Sequence, residues 1–167
     1  MLTLPKKIYL RGMKRLWKVS YIQSAGKLII IEHPYRELAL YGKKYSKSAA
    51  LSLIARWVRL KAQDFLIALV KQQNRRVKAT YKKIIIRSHD SQWGSYLPSK
   101  NISLDYKLIF LPPRLIKNVV LHELCHTKYW THATKFWREL AKFDKKYKKH
   151  DNELNQAEEY IPPWVIF

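Results

Sequence analysis

A helical segment that carries regularly spaced histidines constrains this chain more than any other feature of its sequence. Pro112 and Pro113 suit a helix start, and a helix over about residues 113–129 is predicted. Apolar residues recur in it at helical spacing: Leu115, Ile116, Val119, Val120 and Leu124. His122 and His126 follow the pattern His-Glu-x-x-His. Residues four positions apart lie on one face of a helix, so both imidazoles can bind the same metal ion.

Two further side chains extend the motif toward a catalytic metal site. Glu123 is directed toward the same ion at an angle, where a carboxylate can take a proton from a metal-bound water. His132 supplies a third ligand and leaves the fourth position of a tetrahedral zinc ion open, as catalytic sites require. The alternatives are a hydrogen-bonded pair of core histidines and, for His132, an ordinary turn position. We prefer the metal because histidines and a glutamate are costly to bury without partners.

Length and composition predict one domain over residues 1–167, with a β-strand and long-helix part at about 1–80 and a zinc-site core at about 81–150. The single cysteine, Cys125, excludes an internal disulfide, and it points away from the histidine face as a small core residue. No secretory leader and no apolar run of membrane-spanning length is found, so we expect a soluble, cytoplasmic protein without membrane insertion.

The chain is strongly basic, with 33 Lys and Arg against 12 Asp and Glu and a net charge of +21. Basic residues cluster at 71–78 and 142–149. Such a balance favours polyanions, and it predicts non-specific nucleic-acid binding through the basic surface. The alternative is that these residues form ordinary solvated helix faces. No helix-turn-helix, zinc-finger or RNA-recognition signature accompanies the charge.

The N-terminal half is predicted to be a β-meander or hairpin followed by a long helix. Residues 8–11, 17–23 and 27–33 are prone to form strands, and Pro34 ends the series. The helix, from 46 to about 73, is expected to pack on the sheet through an apolar stripe. Its members are Ala50, Leu53, Ile54, Trp57, Leu60, Phe65, Leu66 and Leu69.

In the second half, strands are predicted at 81–87 and 101–104, the latter as an edge strand beside the metal helix that could hold an extended peptide. A second helix is predicted over about 133–148, and a short one over 151–160. The apolar tail, residues 164–167, is expected to dock on the body.

Several motifs stand in a characteristic order between about residues 85 and 140. They are Gln92-Trp93-Gly94-Ser95, Asn101-Ile102-Ser103-Leu104, Leu111-Pro112-Pro113, His122-Glu123-Leu124-Cys125-His126, His132 and Phe136-Trp137. In this order they resemble the YgjP-like metallopeptidases, which are zincins related to the WLM and SprT-like groups. The chain departs from that family at Gln92 and Tyr96, where Arg and Cys are usual. The family also often has a Pro-Asp-Tyr element late in the second helix, of which Tyr147 is present here but Lys145 and Lys146 replace the Pro and Asp.

The resemblance implies a minimal zincin fold of the α+β class. It consists of a small twisted sheet with the N-terminal meander packed by a long helix, then the His-Glu-x-x-His helix and a following helix. It also implies Zn²⁺ held by His122, His126 and His132, with Glu123 as general base. Related SprT-like and WLM proteins include proteases that act on DNA-bound proteins, a setting that the positive charge suits.

The function expected from these features is zinc-dependent hydrolysis of peptide bonds in a peptide or protein substrate, including proteins associated with nucleic acid. Tyr129, Tyr147 and Tyr96 are the candidates for an additional donor to the oxyanion. Two alternatives stay open: a zinc-containing nucleic-acid-binding module without protease activity, and a zinc hydrolase of non-peptide amides. The sequence carries no signal for an oligomeric state.

Overall fold

The computed structural model describes residues 3–165, which form a mixed α+β structure, as predicted. The strands form two small sheets rather than the single sheet that was expected. The strands are β1 (Lys7–Leu10), β2 (Arg15–Gln23), β3 (Ile29–His33), β4 (Glu37–Gly42), β5 (Ile84–Arg87), β6 (Gly94–Tyr96) and β7 (Ile102–Asp105). The helices are α1 (Lys47–Val77), α2 (Pro113–His126), α3 (Thr134–Phe143) and α4 (Tyr147–Leu154). Buried side chains from both halves pack into one hydrophobic cluster.

The N-terminal sheet is not the predicted meander. Its order is β1-β2-β4-β3, because β4, for which no strand was predicted, lies between β2 and β3. β2 and β4 are parallel, whereas β3 pairs with β4 in the antiparallel sense. Tyr35 and Arg36 have positive φ angles of 61° and 62° and reverse the chain just after Pro34. β4 takes an inner place in the sheet, where its Leu38 and Leu40 are fully buried, whereas β3 lies at the edge and leaves its apolar side chains partly exposed.

Helix α1 covers the inner face of this sheet. It begins after Ser46, whose side chain accepts a hydrogen bond from the N–H of Ala49, and it ends four residues later than predicted, at Val77. The buried stripe recurs mainly every four residues, at Ala50, Ile54, Val58, Ala62, Leu66 and Val70. Leu60, which was predicted to belong to the stripe, is 56% exposed, because it lies midway between Val58 and Ala62 and therefore on the opposite face.

The second sheet has the order β5-β7-β6. β7 runs parallel to β5 and antiparallel to β6, and all four of its residues are buried. The prediction that residues 101–104 form an edge strand is therefore wrong. The edge strand next to α2 is β6, which is only three residues long and was predicted as part of a polar loop.

The C-terminal helices are shorter than predicted. α2 ends at His126, and the predicted second helix breaks at Asp144, whose backbone is extended and whose side chain accepts the N–H of Lys146 at 3.0 Å. That local hydrogen bond competes with continuation of the helix and makes a corner before α4. A 3-10 turn at Ala157–Tyr160 replaces the end of the predicted last helix.

After this turn, the C-terminal segment packs against the rest of the protein. The ring of Trp164 lies 6.0 Å from that of Phe110, and Val165 is buried, so this part of the predicted tail is docked. Ile166 and Phe167, the rest of that tail, lie outside the described residues. Among residues 3–165, no helix combines the length and apolar character needed to cross a membrane.

Candidate metal centre

Three histidines from α2 and the loop after it meet at one point. His122 and His126 lie one turn apart on α2, and His132 lies just before α3. The Nε2 atoms are 3.0 Å apart between His126 and His122, 3.1 Å between His126 and His132, and 2.9 Å between His132 and His122. The structure thus brings together the three residues that the sequence predicted as ligands, in a group that could hold a metal ion.

The backbone of the following loop orients one of these imidazoles. Nδ1 of His126 lies 2.9 Å from the carbonyl oxygen of Tyr129. A carbonyl oxygen only accepts, so Nδ1 carries the proton and the Nε2 lone pair faces the other two histidines. Burial, together with charge repulsion from the neighbouring His126 and His132, lowers the pKa of His122 to about 3. Burial is also the main cause that lowers the pKa of His126. These two imidazoles of α2 are therefore held in the neutral form that binds metals.

Aromatic side chains of α3 support all three histidines. The ring of Phe136 lies 4.8, 4.5 and 4.9 Å, between ring centroids, from those of His122, His126 and His132. Trp137 stacks on His132 at 5.4 Å and on Tyr147 at 5.3 Å. The sequence indicated that Phe136 and Trp137 belong to an amphipathic helix, but it did not reveal this supporting role.

The arrangement fits a cation better than it fits a hydrogen-bonded cluster. Three neutral imidazoles in a triangle cannot satisfy one another, since each Nε2 either donates one proton or accepts. The separations are slightly shorter than the roughly 3.3 Å between nitrogens that each lie about 2.0–2.1 Å from a tetrahedral zinc ion. A metal ion at the common point would satisfy all three lone pairs together.

Glu123 lies beside the triangle in a nearly closed environment. Its side chain is 5% exposed, its carboxyl group accepts the backbone N–H of Tyr96, and its Oε2 has no hydrogen-bond partner among the described residues. Burial outweighs the opposing effect of the hydrogen bond from Tyr96, so that the pKa of Glu123 is raised to about 8. A buried polar oxygen without a partner is uncommon, and it indicates a place for a ligand or an ordered water.

Strand β6 approaches Glu123 closely because its first residue is glycine. A Cβ atom at Gly94 would lie 3.0 Å from Cγ of Glu123 and 3.0 Å from Cδ2 of Leu104. A glycine within a strand often marks such a close approach, and this signal in the Trp-Gly-Ser motif could have placed β6 at the site.

The histidines and Glu123 open into a cleft of about 600 Å³. Its lining comes from α2, from β6 and the loop before it, and from α4 and the turn after it. Trp130, 57% exposed, lies against Tyr96 with the ring centroids 5.2 Å apart. Of the three tyrosines considered as oxyanion donors, Tyr96 lines this cleft, whereas Tyr129 and Tyr147 do not.

Two other polar residues near the motif take structural positions. Cys125 is buried, and burial raises the pKa of its thiol to about 12, which agrees with the predicted core role. His89 is buried, and its Nε2 lies 2.9 Å from Oγ of Ser103, outside the three-histidine group.

Comparisons with known proteins agree with this geometry. The family model of the YgjP-like metallopeptidase domain matches residues 3–157. The structure is also similar to the crystal structure of the metallopeptidase zymogen of Pyrococcus abyssi abylysin, with a TM-score of 0.51, 20% identity, and coverage of 56% of this chain and 95% of that chain. At that identity the likeness shows a common fold. The search of curated proteins found no match. From the family match over nearly its whole length, this chain belongs to the YgjP-like metallopeptidases.

Proposed function

We propose that the protein is a zinc-dependent peptidase in which His122, His126 and His132 bind the metal ion and Glu123 is the general base. One observation carries the proposal: three Nε2 atoms within 3.1 Å of one another lie in the same cleft as a buried carboxylate oxygen without a partner. Three protein ligands with an adjacent carboxylate are typical of catalytic zinc sites. Imidazole nitrogens suit zinc among the common divalent ions.

When bound, the zinc ion supplies Lewis-acid chemistry, lowering the pKa of water toward about 7 and polarising the scissile carbonyl. Glu123 accepts the proton of the attacking water and later delivers it to the leaving amine. Burial alone favours the protonated form of Glu123, and the positive charge of a metal ion held by the three histidines would favour the carboxylate that the first step needs. The N–H of Tyr96 keeps the carboxyl group in place throughout.

Strand β6 is the element that we expect to hold the substrate. The N–H of Asp105 donates to the carbonyl of Trp93, and the N–H of Leu97 donates to that of Asn101, both at 2.9 Å. In an antiparallel pair, alternate residues turn their main-chain groups away from the partner strand. Gly94 and Tyr96 therefore direct theirs away from β7. The N–H of Tyr96 is taken by Glu123, so an extended peptide could add to the sheet through the N–H and carbonyl of Gly94 and the carbonyl of Tyr96. This proposal replaces the one made for residues 101–104.

The test compares the wild type with Glu123→Gln in metal content and in cleavage of casein. We expect the variant to keep its bound zinc and to lose about 10²–10⁴-fold in rate, the usual contribution of a general base. Glu159→Gln, which changes an exposed residue outside the cleft lining, is the control and should cleave normally. Full activity of Glu123→Gln would refute the mechanism. A wild type that cleaves amides of small molecules but no peptide would favour the non-peptide hydrolase instead.

We also propose that the basic surface associates with nucleic acid, so that the substrates include proteins bound there. The net charge of +21 supports this proposal. Binding to mixed-sequence duplex DNA should weaken steeply between about 50 and 200 mM salt. If DNA binding survives Glu123→Gln and the wild type cleaves no protein, the binding-module alternative holds.

A further inference from the structure

Outside the proposed zinc site, the cleft has the opposite charge from the protein as a whole. Apart from the three histidines and Glu123, its charged lining residues are Asp151 and Glu158, and neither a lysine nor an arginine is among the described residues that line it. The chain has 33 Lys and Arg against 12 Asp and Glu, so a cleft with this composition contrasts with the rest of the surface. A local excess of negative charge indicates a ligand group that is positive.

The two carboxylates belong to one wall of the cleft. Asp151 lies in α4, and Glu158 lies in the 3-10 turn that follows it. The indole N–H of Trp93 donates to the carbonyl of Leu154 at 3.3 Å, which ties this wall to the loop before β6. The wall is thus held next to the strand that we propose as the substrate platform.

Other carboxylates of this region are already paired with basic groups. Glu153 pairs with Arg114 at 2.6 Å, and Asp144 contacts His150 at 2.6 Å. Glu139 is within 3.0 Å of both Lys128 and Lys142. The ion pairs found within residues 3–165 include neither Asp151 nor Glu158. Their charges remain available to a ligand.

A second feature of the cleft points to a ligand independently of these charges. The Oε2 atom of Glu123, on a side chain that is 5% exposed, has no hydrogen-bond partner within residues 3–165 and borders the same space. The rings of Trp93 and Trp130 also line the cleft. The apolar stem of a lysine or arginine packs well on such rings, and its charged end is attracted to their faces.

We propose that the cleft selects peptides with a lysine or arginine side chain near the scissile bond, and that Asp151 and Glu158 bind its charge. This inference rests on the proposed peptidase function and adds a substrate class to it. The surrounding lysines and arginines do not oppose such binding strongly, because salt screens exposed charges beyond about 8 Å at physiological ionic strength. A cationic side chain inside the cleft instead contacts the carboxylates directly and donates charge-assisted hydrogen bonds to them.

The test uses fluorogenic peptides that differ at a single position, which holds lysine, arginine, norleucine or glutamate. The set is repeated with this variable position moved to each place on either side of the cleaved bond. At one position, we expect kcat/KM of the zinc-loaded wild type to favour lysine or arginine over norleucine by about tenfold or more. Asp151→Asn and Glu158→Gln should each reduce this ratio several-fold, and the double variant should abolish it. Asp64→Asn and Glu159→Gln remove the same charges outside the cleft lining and should leave the ratio unchanged.

A charge-reversal variant protects the test against effects of misfolding. Glu158→Lys should raise kcat/KM for the glutamate peptide relative to the lysine peptide, a gain that a damaged fold cannot produce. A wild type without preference for basic residues, or a preference that survives in the double variant, overturns the inference.

Peptide binding separates this inference from the proposed function. The anisotropy of the labelled lysine and norleucine peptides is measured with zinc-loaded Glu123→Gln, which does not turn over if the mechanism is correct. Selective binding of the lysine peptide, lost on adding Asp151→Asn and Glu158→Gln, supports the inference even if the wild type cleaves none of the peptides. Equal binding of both peptides overturns it even if the wild type is an active peptidase.

Discussion

Gly94 and Glu123 are so close that a Cβ atom added to the glycine would lie 3.0 Å from Cγ and 3.1 Å from Oε1 of the glutamate. The buried carboxylate is carried by α2, but edge strand β6 limits where it can lie. The backbone N–H of Tyr96, in the same strand, also donates to its carboxyl group. Strand and helix together therefore determine the distance between the carboxylate and the three histidines.

The first prediction concerns this contact. Gly94→Ala should displace Glu123 and lower kcat by about tenfold to a hundredfold, because a shift of about 1 Å costs up to about 10² in rate. The overpacking should also lower the free energy of unfolding by about 1–3 kcal/mol. Peptidase assays and urea denaturation measure the two effects. Ser95→Ala, next in the strand, removes a buried hydroxyl that has no hydrogen-bond partner in the described part of the chain, and it should be nearly neutral. Wild-type kcat in Gly94→Ala would contradict the positioning role of β6.

The second prediction concerns the ring beneath the histidines. Phe136 contacts all three imidazoles, so Phe136→Leu should let them tilt and should weaken zinc binding by about 10–100-fold, as for other groups that orient metal ligands. Competition with a chromophoric chelator measures the affinity. Phe143→Leu, on the same helix, is the control, because Phe143 contacts Arg76 rather than the histidines. Equal zinc affinity in both variants would show that Phe136 only fills space.

The third prediction concerns metal removal. If the three histidines bind zinc in the folded state, a chelator should lower the Tm, and added zinc should restore it. At a free zinc concentration of about 100 times Kd, the stabilisation is about 2.7 kcal/mol. His132→Ala should reduce the Tm difference between the zinc-loaded and chelated forms, whereas His33→Ala, a histidine of β3, should not. A chelator effect of equal size in the wild type and His132→Ala would exclude His132 as a ligand.

The fourth prediction concerns the corner between α3 and α4. Burial alone would raise the pKa of Asp144, but hydrogen bonds from Asn118, His150 and the N–H of Lys146 outweigh it and hold that pKa below its usual value. Asp144→Ala leaves the amide of Asn118, which is 1% exposed, without its acceptor and should cost about 1–3 kcal/mol at pH 7.

The pH dependence of this effect has a definite sign. A carboxyl group whose pKa is lower in the folded state stabilises the fold above its unfolded pKa, about 3.9. That stabilisation is lost as the pH falls through the folded pKa. The difference in unfolding free energy between the wild type and Asp144→Ala should therefore be full at pH 7 and shrink below about pH 4. Urea denaturation at both pH values measures it. Asp64→Ala, in the exposed part of α1, serves as the control. If the difference in unfolding free energy between the wild type and Asp144→Ala were the same at both pH values, the carboxylate charge would be excluded as its source.

Local backbone geometry explains which parts of the fold and of the metal site could be predicted from the sequence. The spacing of His122 and His126 places them on one helix face whatever surrounds that helix, because the relation depends only on helical pitch. Other local signals located the start of α2 at Pro113, the start of α1 to within one residue, and the core position of Cys125. The ordered motifs led to the family that the comparison then showed.

The remaining features of the fold and of the site depend on pairing between segments that are distant in the sequence. Strands compete for the buried places of a sheet, and the periodicity within one strand does not report the outcome. This competition decided that β6 rather than β7 is the edge strand and that β4 lies between β2 and β3. Asp144 broke the predicted second helix because its side chain found partners on α2 and α4. The sequence by itself determined that two histidines and a glutamate share a helix. The sequence also suggested His132 as the third ligand. Only the tertiary structure brought its ring to the other two, and only it placed Phe136, Gly94 and the acidic wall around them, because those contacts arise when separate elements are buried against one another.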